Sequence, residues 1–202
     1  MGVVMEVREP TPALGPVEPD VEAIRRSVSD PEAFVAVFDR HFDAVHRYLH
    51  RRLGRDLADE LCAEVFTRAF ASRGRFTPHE GGALPWLYGI ATNLVRRHRR
   101  TEERRLRAYA RTGLDEAVSV DEDAVTRRAD AGLLGPALAG ALAALSREER
   151  DALCLVALAD LTQEQAALAL GVPLGTLSSR ATRARSRLHA LLPDHVHGTE
   201  ER

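Results

Sequence analysis

The 202-residue chain predicts an all-α fold: two small helical domains joined by a flexible acidic linker. Three observations carry that expectation. Apolar residues recur at helical rather than alternating spacing in every periodic stretch. Caps, prolines and glycines bound those stretches. Periodicity lapses once in the interior, where Asp115, Glu116, Asp121, Glu122, Asp123 and Asp130 crowd together. The boundaries expected are a disordered N-terminal extension over 1–29, a first domain over 30–107, a linker over 108–132, a second domain over 133–192 and a polar tail over 193–202.

The totals exclude more than they assign. A hydrophobic content of 45% is ample for two cores. The 28 basic residues are all arginine, which fits GC-rich codon usage, and the net charge of -2 hides strong segregation of sign along the chain. Nucleic-acid binding depends on the local patch, so the total is no guide to it. Cys62 and Cys154 lie far apart without metal-ligand spacing, which reads as two buried free thiols in a reducing interior. No run approaches the roughly 20 apolar residues that span a bilayer. The first residues lack a basic flank followed by an apolar core, so no signal peptide is indicated. A cytoplasmic protein with no membrane contact is expected. His79-Glu80 lacks the second histidine of a zinc-protease helix. The chain offers no catalytic constellation, no metal-ligand set and no cofactor motif, and His195 and His197 sit in a tail.

The elements follow in order. Met1–Pro19 is rich in Pro, Gly and Glu and aperiodic, with a short helix expected over Asp20–Ser27. Asp30-Pro31-Glu32 supplies a cap, a proline at the first helical position and an acid in the first turn. Phe34, Phe38, Phe42, Val45, Leu49 and Leu53 then form an apolar stripe that Gly54 ends, with His41, His46 and His50 expected at the surface. A second helix runs over Asp56–Ser72, with Leu57, Leu61, Val65 and Ala69 inward and an acidic edge of Asp59, Glu60 and Glu64. That edge suits a solvated face or a basic partner protein better than acid–base catalysis. Arg73–Ala83 carries Gly74, Pro78, Gly81 and Gly82 and reads as a loop. Pro85 opens the next helix, whose inner face is Leu87, Ile90, Ala91 and Leu94. Trp86 and Asn93, two turns apart, share one side of it. Arg96, Arg97, Arg99 and Arg100 follow, and an aromatic and an amide beside such a cluster suit unstacked bases next to phosphates.

After the linker, Leu134, Leu138, Leu142 and Leu145 resume the helical pattern. Ser146-Arg147-Glu148-Glu149 is a capping box for a helix with Leu153, Val156 and Ala157 inward. Thr162 and Gln165 form a second box, and Gly171 ends that helix in the left-handed conformation. Leu177, Ala181, Ala184, Leu188 and Leu191 make one buried stripe on the last helix. Its free face holds Thr176, Ser178, Ser179, Arg180, Thr182, Arg183, Arg185 and Arg187, and no acid occurs from Gly171 to Leu192. A basic, hydroxylic helix held by a short helix and a glycine turn is a helix-turn-helix that reads a major groove.

The whole order resembles an extracytoplasmic-function sigma factor of the bacterial sigma-70 family, the minimal type with regions 2 and 4. ADELCAEVF (Ala58–Phe66) is similar to the core-binding AEDLVQEVF pattern. PWLYGIATNLVRRHRR (Pro85–Arg100) is similar to the promoter-melting WLxxIAxNxxxDxxRR pattern. TQEQAALALGVPLGTLSSRATRARSRL (Thr162–Leu188) is similar to YxEIAxxLGVPxGTVKSRLxRARxxL. Three positions depart: Ala63 stands where glutamine is usual, Arg97 where aspartate is frequent, and Ser178 where lysine or arginine heads the recognition helix.

The resemblance implies an alternative sigma factor, not an enzyme, that takes no cofactor. It implies core RNA polymerase as partner, through the clamp helices of the largest subunit and the flap of the second-largest, together with promoter DNA and an anti-sigma factor. Asp59, Glu60, Leu61, Glu64 and Phe66 would meet the clamp helices. Trp86, Asn93, Arg96, Arg97, Arg99 and Arg100 would serve the −10 element and strand opening. Thr176, Ser178, Ser179, Arg180, Thr182, Arg183, Arg185 and Arg187 would read the −35 element. A stand-alone helix-turn-helix regulator is the alternative, and it requires a sensor or dimerisation domain at the N-terminus.

Overall fold

A computed structural model describes residues 17–79, 81–112, 135–159 and 161–192. Among them there is no strand. The elements are α1 (Val17–Ser27), a 3-10 turn (Pro31–Phe34), α2 (Val35–Leu53), α3 (Arg55–Ser72), α4 (Leu84–Arg97), α5 (Arg99–Thr112), α6 (135–144), α7 (Arg147–Leu158), α8 (Gln163–Leu170) and α9 (Leu174–Leu191).

The expected punctuation is where the chain turns. Gly54 breaks α2 from α3 at a φ of 89°, a region costly for any side chain. Both capping boxes close reciprocally: Glu149 N–H donates to Ser146 Oγ, Gln165 N–H donates to Thr162 Oγ1, and each acceptor's own amide is bound in return. Gly171 ends α8 in the left-handed region at a φ of 63°. Asp30 makes no side-chain cap. The proline behind it opens a 3-10 turn before α2 proper, and Asp30 faces Arg26 instead at 3.7 Å.

The larger core is built by α2, α3 and α4. Val37, Val45, Leu49, Leu61, Val65, Leu87 and Ala91 are fully enclosed. Tyr48 and Tyr88 meet edge to face at 5.1 Å, and the Tyr48 hydroxyl lies 3.0 Å from Thr92 Oγ1. Two expected domains would have two separate cores. Instead the same apolar cluster continues into Ala152, Leu155, Leu161, Ala166 and Leu177 of the second unit, because α8 packs on α4. A smaller cluster of Leu145, Leu153 and Ala184 joins α7 to α9.

Four expectations are corrected. The extension 1–29 is not disordered throughout: the short helix expected over Asp20–Ser27 is present as α1, Ile24 is buried, and Asp20 is the hub of a polar cluster. The Asp20 carboxylate accepts from Arg40, from His41 at 2.7 Å and from the Ala83 backbone N–H at 3.2 Å. His41 is accordingly buried rather than at the surface. The helical stripe on α9 stops at Leu188, and Leu191 is 51% exposed. The linker's first residues, 108–112, extend α5 as helix. The rest of the linker to residue 132, residues 1–16 and the tail from 193 lie outside the described residues.

Burial alone would raise the Asp20 pKa. The His41 and Arg40 side chains and the Ala83 N–H outweigh it and hold the carboxyl below its ordinary value. Its stabilising contribution is therefore complete above a pH of about 4 and is lost as pH falls through the lowered value. Asp20→Ala should lower unfolding stability at neutral pH by about 1–3 kcal/mol in urea titrations, because it strands buried donors. The variant should also lose less stability than the parent between about pH 5 and 3. Parallel acid limbs for the two proteins would remove Asp20 from that account.

Candidate nucleic-acid and partner interfaces

Three faces carry the residues singled out in the sequence. The first lies on α2 and α3. Asp59 and Glu60 are exposed, and Glu64 is half-buried and paired with Arg68 one turn on. Asp59 Oδ1 lies 2.7 Å from His46 Nε2, and His46 stacks between Phe42 and His50 at centroid distances of 5.7 and 6.3 Å. Phe38, an outward member of the expected stripe, lies 4.8 Å from Phe66 and 5.1 Å from Phe42 and is 38% exposed. The face thus combines carboxylates with an aromatic row. Leu61 does not belong to it: with no exposed surface it is core. Its period places it on the inner side of α3, between Ala58 and Val65. Phe66 is also buried and presents only the rim of its ring cluster.

The second face surrounds α4. Its first turn is positioned from three directions. Pro85 sits at the start of the helix, Asp20 receives the Ala83 N–H from across the domain, and Phe76 packs on Trp86 at 5.0 Å. Beside them opens a cavity of about 210 Å³, lined by Arg75, Phe76, His79, Pro85, Trp86 and Leu168 among others. Sequence reasoning missed Arg75, Phe76 and His79. The signal available was a guanidinium, an aromatic and an imidazole inside a Gly/Pro loop leading directly into the Trp86 helix. Two turns further on, Asn93 is exposed, and its Oδ1 accepts from Arg96 at 3.0 Å. Arg97, Arg99 and Arg100 are exposed, with Arg99 3.5 Å from Glu103. Trp86 and Asn93 do share one side of α4, but Arg96 differs from its neighbours: its Nε donates to Asp151 on α7 at 2.9 Å. Of the four arginines, then, Arg96 is turned inward.

The third face is α9. Leu177, Ala181 and Ala184 are fully buried against α7 and α8. At 100° per residue that leaves Ser179, Thr182 and Arg183 centred on the opposite side, and all three are exposed. Ser179 Oγ donates to the Gly175 carbonyl at 2.8 Å. Thr176 and Ser178 are half-buried, and Ser178 Oγ donates to Gln163 Oε1 at 2.5 Å, tying the helix head to α8. Arg180 and Arg187 flank the α7 side and Arg185 the other. Arg187 donates to Glu149 Oε2 at 2.7 Å. Burial would raise the Glu149 pKa, but the Ser146 amide and hydroxyl and the Arg187 and Arg183 charges hold it below its ordinary value. Its charge therefore persists at neutral pH and keeps Arg187 occupied.

Among the described residues no three His, Cys, Asp or Glu side chains gather as a metal site. Cys62 and Cys154 are buried free thiols, with burial pushing the Cys62 pKa up to about 12.

Known proteins place these faces in context. The family model for Sigma-70 region 2 matches residues 37–105, and that for Sigma-70, region 4 matches residues 141–190. The chain is 35% identical over 143 residues to the ECF RNA polymerase sigma factor EcfG of Rhodopseudomonas palustris, spanning 68% of this chain and 71% of that relative. Its fold is similar to CnrH in complex with the cytosolic domain of CnrY, with a TM-score of 0.59 at 20% identity over 86% of this chain and 96% of the other. It is also similar to the sigma factor RpoE in complex with the anti-sigma factor NepR from Bartonella quintana. There the TM-score is 0.52 at 22% identity, over 78% and 95% of the two chains.

Proposed function

We propose that this chain, which belongs to the extracytoplasmic-function group of the sigma-70 family, divides promoter recognition among the three faces just described. It is an alternative sigma factor that directs core RNA polymerase to promoters and to transcription initiation, and the family is not one of enzymes. The observation that carries the assignment of faces is the acid-free α9 surface. Its exposed centre is hydroxyl and guanidinium, and its back is locked into α7 and α8.

A helix so presented fits the major groove. Ser179 and Thr182 suit phosphate and base edges, and Arg183 can give two hydrogen bonds to one guanine. Arg180, Arg185 and Arg187 flank that centre and serve phosphates, Arg187 only by exchanging its Glu149 partner. The Trp86 cavity and the exposed Asn93, Arg97, Arg99 and Arg100 suit the −10 region. An unstacked base costs a few kcal/mol, which stacking on aromatics and an amide at the base edge offset. The acidic–aromatic face of α2 and α3 suits the clamp helices of the polymerase. Asp59, Glu60 and Glu64 set orientation and on-rate, while Phe38 and Phe42 give apolar hold where Leu61 cannot.

Spacing supports the plan. Two promoter elements two helical turns apart lie about 70 Å apart. Segment 113–134, at up to about 3.4 Å per residue, reaches on the order of 75 Å. Among the described residues no helix is long and apolar enough to cross a membrane. The partners proposed here, polymerase and chromosome, support a cytoplasmic location. An anti-sigma factor as a further partner is supported by the similarity to RpoE in its complex with NepR.

With core enzyme the purified chain should produce promoter-dependent run-off transcripts, and alone it should bind the same duplex weakly. Tight specific binding without polymerase would favour a stand-alone regulator. Asp59→Arg combined with Glu60→Arg should weaken core-enzyme binding about tenfold, as read by competition, with helix content unchanged. Undiminished competition would move the docking face elsewhere. Arg183→Ala should cost roughly 1–3 kcal/mol of promoter affinity and relax one position of the −35 element. An unaltered sequence preference would refute a base contact.

A further inference from the structure

The outer side of α5 carries a row of cations that runs past the −10 face. Arg100, Arg104, Arg107 and Arg111 are all exposed. At 100° per residue they fall within an arc of about 60° on one side of the helix. The row is about 16 Å long, with one guanidinium per turn. The opposite side of α5 is the packed one. Glu102 is buried there and accepts from Arg52 at 2.7 Å and from Arg150 at 3.2 Å. Arg105 donates to the Arg51 carbonyl at 3.2 Å, and Leu106 and Tyr109 are half-buried. These contacts set the rotation of α5 about its axis and turn the row to solvent.

The row has no counter-charge. The other carboxylate of α5, Glu103, faces Arg99 at 3.5 Å and Arg150 at 4.0 Å. Among the described residues none of the four has an acidic partner. Arg104 Nε donates to the Arg100 carbonyl at 3.1 Å and leaves its terminal nitrogens outward. Along the row the neighbour one turn on is always another arginine, at i+4, i+3 and i+4 in succession. Like charges at those spacings destabilise a free helix, so the row costs stability until an anion lies against it. A merely solvated face would alternate sign, as Arg99 and Glu103 do on the adjacent side.

We infer that this row is a docking surface for the sugar-phosphate backbone of duplex DNA, in the spacer between the two promoter elements. The inference rests on the functional reading above and deepens it. Guanidinium is the side chain best matched to phosphate oxygens. The arc carries no aromatic ring, since Tyr109 lies on the packed side, so it offers unpaired bases nothing to stack on. A straight row on a fixed helix matches a backbone of fixed shape. Its 16 Å or so span about five phosphates of one strand at 3.4 Å each. The order of elements selects the spacer. Trp86 and Asn93 of α4 come before the row, and segment 113–134, leading to the −35-reading domain, comes after it. Phosphate contacts carry no sequence information but fix register. The row therefore holds the spacer in place while bases are read at either end.

The test uses the full-length chain carrying Arg104→Ala, Arg107→Ala and Arg111→Ala together. Alanine is the stronger helix former, so circular dichroism should be unchanged and the thermal midpoint at low salt no lower. On a mixed-sequence duplex of about 30 base pairs, the slope of log affinity against log salt should fall by about 3. A control carrying Arg26→Ala, Arg47→Ala and Arg55→Ala, three exposed arginines elsewhere, has the same net charge. Its slope should stay within about 1 of the parent's. On a single strand of the same length the α5 variant should lose less than about half as much slope as on duplex. With core enzyme, a fragment that supports run-off transcription is then given uncharged methylphosphonates in its spacer. Parent binding should weaken about tenfold, and binding by the α5 variant less than about twofold.

An unchanged slope in the α5 variant, or an equal fall in the control, would overturn the docking surface. An equal loss on the single strand would overturn its assignment to duplex. Equal sensitivity of parent and variant to the methylphosphonates would overturn its placement in the spacer. Absence of run-off from parent and variant alike would count against the sigma reading itself, while the slopes measured without polymerase would still decide the row.

Discussion

A buried guanidinium organises this molecule. Arg52 sits on the inner face of α2, one turn beyond Tyr48 and beside Leu49 and Leu53, where periodicity would place an apolar side chain. Its partners come from three helices: the Tyr48 hydroxyl of α2, Glu102 of α5 and Asp151 of α7. Burial alone would depress its pKa. The surrounding groups, Tyr48, Cys154, Glu102 and Asp151, raise it well above the ordinary value, so the charge is permanent. A permanent charge in the interior must have its donors satisfied, and that requirement sets where α5 and α7 lie against α2. The Tyr48 hydroxyl, pushed up to about 12 by burial, remains protonated and passes the constraint to Thr92 on α4.

A second anchor fixes the opposite end of α4. Asp20 from α1 holds His41 and Arg40 of α2 and receives the amide at the start of α4. Gly82 is needed there, since a Cβ would fall 2.8 Å from the Asp20 carboxylate in a left-handed turn at a φ of 65°. The helix that carries Trp86 and Asn93 is therefore clamped at both ends by buried polar groups and along its length by leucines. Rigid placement of this kind lets exposed side chains meet a ligand without first being ordered.

What could be read from the sequence was local. Gly54, Gly171, the two capping boxes and the stripe through Leu177, Ala181 and Ala184 each depend on residues within one or two turns, and each lies where expected. The three faces were legible too, because exposure follows from the same periods. What failed depends on distance along the chain. His41 looked like a surface histidine because its partner is 21 residues upstream, on a separate short helix that no period ties to α2. Arg52 and Asp151 are 99 residues apart, and no period connects them. Leu61 fell within a motif resemblance, but the period already assigned it to the core, and there the period was the better guide. Phe38 erred the other way. On the stripe by spacing, it lies at the edge of what α3 covers, against the rings of Phe66 and Phe42.

The contrast between the two kinds of packing in the chain has a functional logic. Within each domain the contacts are leucine, valine and alanine, which water penalises heavily when exposed, so each domain stays whole. Between domains the packing is mixed: the apolar cluster continues from α4 into α7 and α8, and beside it lie the charges of Asp151, Arg96, Arg150 and Glu102, for which water is a competent substitute. The same reasoning extends to α9. Arg187, paired with Glu149, can exchange a carboxylate for a phosphate at little cost, whereas Thr182 and Arg183 stand ready without exchange. Charge pairing here serves to store cations where they do no harm until nucleic acid offers a better anion.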